Sequence, residues 1–210
     1  VRAVPAAVPA TDARISAPPS PSRRAVALLV AAKALLAALL LVGALWPHGN
    51  FEGKGMAYRL PAFLAPGLVV TWSWWRRRRE GRPYPVALDA ALTVPFLLDT
   101  LGNAAGFFDS VDHFDSVLHF VNWVILCGGV TLALGRSIGR DASRAYHVLA
   151  GAGFGAITIV LWEAMEYGVM EAGVGGLNLT YVDTVSDLLI SGTGGAVGAW
   201  WAARRLTPDG

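Results

Sequence analysis

Charge is what this chain has least of. Charged residues make up 15% of its 210 positions, against roughly 25% in an ordinary soluble domain. Hydrophobic residues make up 54%, and the mean hydropathy is +0.48. That balance excludes a water-soluble globular domain and points to an integral membrane protein. Cysteine is nearly absent: Cys127 stands alone inside an apolar run, which excludes an intrachain disulfide. The first two dozen residues, VRAVPAAVPATDARISAPPSPSRR, hold no apolar block. They are expected to form a disordered cytoplasmic tail over 1–24 rather than a signal peptide.

What is present is a series of six apolar stretches, at about 25–46, 56–75, 86–102, 114–134, 146–167 and 184–203. Each approaches the roughly 20 residues that cross a bilayer as a helix. The expected fold is therefore all-α: a polytopic domain of six transmembrane helices over 25–205, with no soluble domain between them. Lys33 lies within the first stretch, where its long stem can snorkel to an interface. Trp72, Trp74 and Trp75 close the second, as tryptophan does at a water–lipid boundary.

Alternating spans sort the connecting segments into two sets. One set holds Arg23, Arg24, the block Arg76, Arg77, Arg78 and Arg79, then Arg82, Arg136, Arg140, Arg144, Arg204 and Arg205; the other holds only Lys54 and Arg59. The positive-inside rule then places both termini in the cytoplasm. The arginine block reads as a topology anchor that touches anionic lipid, which leaves no basic surface for nucleic acid.

The acids gather on the opposite side. Glu52, Asp99, Asp109, Asp112, Asp115, Glu163, Glu166, Glu171, Asp183 and Asp187 fall in outer loops or outer halves of spans. Only Asp12, Glu80, Asp141 and Asp209 are cytoplasmic, with Asp89 near the inner end of the third span, where it is expected to pair with nearby Arg82. Acids contribute little to topology, so the clustering needs another cause.

Residues three or four apart share a helix face. Asp99 and Asn103 do so on the third span. Asp112, Asp115, His119 and Asn122 do so on the fourth, Glu163 and Glu166 on the fifth, Asp183 and Asp187 on the sixth. Four helices thus present polar groups at comparable depth, as the walls of one cavity. Like charges at short range and a low dielectric both oppose ionisation, so such a cavity requires protonation, paired cations or a metal. Facing carboxylates and imidazole in helix bundles commonly hold metals. The expected ligands are Asp99, Asp115, His119, Glu163, Glu166, Asp183 and Asp187, and their oxygen-rich chemistry suits Mg, Mn, Ca or Fe better than Zn.

Plainer readings compete. Asp183 precedes Thr184 at a helix start, where Asp serves equally as an N-cap. Asp109 and Asp112 read as turn residues or as part of the site, and His113 reads as interfacial. Glu171 belongs to a solvated glycine-rich loop, and His147 lies on the cytoplasmic side. Glu163, Glu166 and His119 resist such readings, because ionisable groups inside spans usually face a partner or a pathway. Gly194 and Gly198 form a small-xxx-small pair that allows close helix approach.

The segments LDTLGNAAGFFDSVDHFDSVLHF, WEAMEYG and YVDTVSDLLISGTGGAVGA resemble the YjdF-type family of uncharacterised bacterial inner-membrane proteins, over about residues 95–200. The matching positions are Asp99, Gly102 and Asn103; Asp115, His119 and Phe120; Trp162, Glu163 and Glu166; and Tyr181, Asp183, Thr184, Asp187 and Leu188. Where that family often carries a further acidic or amide residue, this chain has Ser191. The resemblance implies a compact multi-pass helical protein of the bacterial cytoplasmic membrane and assigns no activity.

Three functions compete on these residues. The first is a metal-dependent hydrolase or transferase of a lipid or lipid-linked phosphate. There the metal polarises substrate or activates water, Glu163 or Glu166 acts as base and His119 as ligand or acid. Arg59, Lys54, Asn103 and Tyr181 would bind substrate. The second is a structural or accessory subunit, and the third a cation or proton transporter, which needs an inward route that only Asp89 and Lys33 furnish.

Overall fold

The computed structural model describes residues 21–138, 142–173 and 179–207, with side chains omitted at 136–138. Most of the expected tail lies outside the described residues, as do Asp12, Arg140, Asp141, Asp209 and residues 174–178. The described part is helical throughout, with no strand among the described residues. Eight helices follow in order: α1 (Arg23–Leu45), α2 (Met56–Arg77), α3 (Val86–Ala91), α4 (Val94–Ala104), α5 (Phe107–Ser110), α6 (Phe114–Ile138), α7 (Arg144–Glu171) and α8 (Tyr181–Leu206).

Local chemistry sets the helix starts. The Ser22 hydroxyl caps α1 by accepting the Ala25 amide at 3.1 Å, so the helix opens at Arg23, inside the stretch expected to be disordered. Ser143 caps α7 through the Tyr146 amide, and Thr180 caps α8 through the Asp183 amide. Asp183 is therefore not the cap: α8 begins two residues before it and places it in the first turn, where a carboxylate meets the positive end of the helix dipole.

Four segments are long and apolar enough to cross a membrane: Arg23–Leu45, Val86–Ala104, Phe114–Gly135 and Arg144–Glu171. Helices α2 and α8, at 22 and 26 residues, match them in length but are less apolar. Pro61, Pro66 and Arg59 interrupt the first; Asp183, Asp187 and a run of glycine and serine dilute the second.

The third expected span is not one helix. It breaks at Leu92 and Thr93, between α3 and α4. Pro95 at the start of α4 brings no amide hydrogen and disfavours helical backbone in the residue before it. The ladder cannot run through.

Helix α8 packs most closely on α6 and then on α7, while α1 packs on α2 and α4. The α6–α8 contact depends on missing side chains: a Cβ at Gly194 would strike the Phe120 carbonyl, and one at Gly198 the Val124 carbonyl. Two apolar clusters result, Leu36, Leu40, Met56 and Phe63 in one and Trp123, Cys127 and Ile159 in the other. Trp162 packs against both.

Lys33 and Asp89 depart from their sequence reading. The Lys33 ammonium does not snorkel. It lies 2.6 Å from the fully buried Asp89 carboxylate and donates to the Gly67 carbonyl and the Thr71 hydroxyl. Asp89 also accepts from Tyr84 and Thr93, whereas Arg82 pairs with Glu80. Tertiary packing brings α1 against α3, and the buried carboxylate takes the half-buried Lys33 over the exposed Arg82 because its desolvation demands a close partner.

Candidate metal centre and its cavity

A cavity of about 350 Å³ opens among α2, α4, α6, α7 and α8. Its walls carry Asp99 and Asn103 from α4, Asp115, His119 and Asn122 from α6, Trp162 and Glu166 from α7, and Asp183 and Asp187 from α8. Lys54, Arg59 and Asp109 stand on the same wall. Of the side chains that sequence spacing assigned to one pocket, all but Asp112 and Glu163 line this common void.

Two expected residues do not reach it. Tyr181 is 85% exposed at the start of α8 and is absent from the lining. Glu163 faces a neighbouring buried position, 6% exposed, and neither of its carboxylate oxygens has a hydrogen-bond partner among the described residues. Asp112 and His113 lie exposed in the turn before α6, and Glu171 is likewise exposed. His147, on α7, is buried away from this lining.

The tightest cluster is Asp115, His119 and Asp187, each offering one ligand atom within 4.8 Å of the others. His119 Nε2 is 3.7 Å from an Asp115 oxygen and 3.9 Å from an Asp187 oxygen. Helical spacing supplies the first pair, which are i and i+4 on α6; the α6–α8 glycine contact supplies the second. The other ring nitrogen, Nδ1, lies 3.0 Å from the Ser191 hydroxyl. With Nδ1–H donating to Ser191, the Nε2 lone pair is left facing the two carboxylates. A fixed tautomer of this kind is the usual arrangement behind a metal-bound imidazole. Ser191 was the position where an acid was missing from the resembled pattern. It serves the site by orienting His119.

One nitrogen and two carboxylate oxygens form a donor set suited to a divalent ion. Asp99 is engaged elsewhere: it is ion-paired with Arg59 and accepts from the Asn103 amide at 3.1 Å. Lys54 is likewise held by Asp109 at 2.7 Å. Asp183 and Glu166 complete the acidic wall without joining the close trio.

Below the acids the lining changes character. Trp123 stacks on His119 with ring centroids 5.6 Å apart and planes 10° from parallel. Trp162 meets Trp123 edge-on at 6.4 Å and Phe96 at 6.1 Å. Ala91, Pro95 and Leu126 extend this apolar floor. Sequence reasoning missed the aromatic floor, because tryptophans in a span carry no signal of which cavity they face. Asn122 lay within the polar stripe of α6 but was given no role.

The chain belongs to a family described as predicted membrane protein (DUF2238), whose model matches residues 27–208. The YjdF-type resemblance at about 95–200 thus extends over nearly all of the helical region, including α1 and α2. No curated protein and no solved structure matches the chain.

Proposed function

We propose that this membrane protein crosses the bacterial cytoplasmic membrane six times, with both termini inside, and holds a divalent metal in an outward-facing cavity. Asp115, His119 and Asp187 are the ligands, with Mg, Mn, Ca or Fe the fitting ions and Zn less so. The reaction is hydrolysis or transfer at a phosphate of a lipid or lipid-linked substrate, with membrane lipid as the source. The single observation behind it is the trio of ligand atoms within 4.8 Å on the wall of a cavity large enough for an organic molecule. Pockets that take small molecules start at roughly 300 Å³.

The metal, when bound, supplies Lewis acidity at a phosphoryl oxygen. The chain's own residues do the rest. Ser191 holds His119 in one tautomer. Glu166 accepts a proton from an attacking hydroxyl in this reading, supported by its position in the cavity lining, where Glu163 is absent. Arg59 and Lys54 sit at the rim, held in position by Asp99 and Asp109, and meet an anionic group only by sharing those partners.

Metal analysis of purified protein tests the reading. Wild type is expected to carry a stoichiometric divalent ion, with Asp115→Ala and Asp187→Ala each losing it. A wild type free of bound metal after reconstitution with Mn²⁺ removes the proposal. Topology is tested in a Cys127→Ala background, with single cysteines at the exposed Ser110 and Ala145. Ser110→Cys is expected to react with an impermeant maleimide from outside; labelling of Ala145→Cys instead reverses the orientation.

A further inference from the structure

Charge in the cavity does not balance. Six carboxylates line it against two cations, Lys54 and Arg59, and each cation is already taken by an acid of its own. Asp115, Glu166, Asp183 and Asp187 remain around one imidazole. A single divalent ion offsets two of them. Carboxylates left without a counter-charge in a low dielectric are costly, so the remainder must either hold protons or meet a second positive group.

A second observation concerns polar atoms beside the acids. Asn122 is only 9% exposed, lines the cavity, and its side-chain oxygen has no hydrogen-bond partner among the described residues. The buried indole N–H of Trp162, also in the lining, is unpartnered as well. Unmet buried polar groups in a native fold call for an occupant that satisfies them. The aromatic planes of Trp123, Trp162 and Phe96 beneath the acids supply faces that attract cations.

We infer that the cavity recognises an amine-bearing organic molecule, whose ammonium supplies the missing positive charge and lies over the Trp123–Trp162 pair. Its N–H donors serve Asn122, an oxygen of the same molecule accepts from Trp162, and its apolar body fills the floor toward Leu126. The inference rests on the metal reading for the phosphate end and makes the substrate of that site zwitterionic. The ammonium end would come from a phospholipid head group or from a free amine.

The test titrates n-octylammonium and octanoate, by calorimetry, into protein in phosphatidylglycerol nanodiscs, with empty nanodiscs subtracted. Octylammonium is expected to bind wild type saturably and octanoate not. Trp162→Phe retains ring packing and is expected to preserve most of this binding. Trp162→Leu and Asn122→Leu are each expected to weaken it by roughly tenfold, with Mn²⁺ stoichiometry unchanged. Binding of Mn²⁺ without saturable octylammonium binding overturns this inference and leaves the metal reading standing. Octylammonium binding without Mn²⁺ removes the metal reading and supports the ammonium site alone. Equal binding of octanoate also overturns the inference. Adding phosphatidylethanolamine to the nanodiscs separates the sources: weaker octylammonium binding supports a lipid head group, and unchanged binding supports a free amine.

Discussion

The half-buried Lys33 ammonium on α1 and the fully buried Asp89 carboxylate on α3 lie 2.6 Å apart, outside the lining of the acidic cavity. Thr71 and Gly67 of α2 complete the ammonium's partners, so one side chain ties three helices. Removing one member leaves the other charge buried and unpaired, at a cost of about 3–5 kcal/mol. Asp89→Asn is expected to unfold at markedly lower denaturant in detergent, while Lys33→Met with Asp89→Leu recovers most of the loss. Both should retain metal, since neither residue lines the cavity. A single variant as stable as wild type would show that the pair holds nothing together.

Tyr84 lies in the segment between α2 and α3 and donates its hydroxyl to Asp89. Burial first, then the hydrogen bond and charge of Asp89, push its phenol up to about 12 from 10, with Thr71 opposing. The raised value means the protonated phenol is favoured in the fold. Its contribution is complete below pH 10 and is lost as pH rises through about 12. Ultraviolet titration of wild type minus Tyr84→Phe is expected to show a phenolate step near pH 12; a step near pH 10 would count against the buried hydrogen bond.

In the proposed metal centre, Ser191 would act on a bound ion only through His119. Losing an outer partner of a ligating imidazole typically weakens affinity by roughly 10- to 100-fold. Ser191→Ala is expected to reduce Mn²⁺ affinity at the low end of that range without changing stoichiometry. Calorimetric titration of Mn²⁺ measures it, and an unchanged affinity would separate Ser191 from the site.

Gly198 meets the Val124 backbone so closely that even a methyl group must push α6 and α8 apart. Overpacking of this kind costs about 1–3 kcal/mol. Gly198→Ala is expected to lower thermal stability by that order, and to weaken Mn²⁺ binding by separating Asp187 from His119. Gly192 has nothing within 4 Å of its added Cβ, so Gly192→Ala serves as the control.

Much of the site could be read from spacing alone, because a helix puts i, i+3 and i+4 on one face whatever surrounds it. Asp115 and His119 needed only that rule, as did Asp99 with Asn103. Glu163 and Glu166 show its limit. They are three apart on α7, yet Glu166 lines the cavity and Glu163 turns into the packing beside it, because a shared face is wider than a cavity wall. The break between α3 and α4 was signalled by Pro95, but hydropathy averages over it. Asp89 was matched to the neighbour nearest in sequence, whereas its partner lies on a different helix.

Composition and periodicity, then, settled the helical membrane architecture and the gathering of acids toward one end, since both follow from how each residue type partitions and how a helix repeats. Which acid faces which partner was decided by helix packing. Glycines at 194 and 198 bring α8 against α6 until Asp187 and Ser191 reach His119, and no local stretch of sequence encodes that distance.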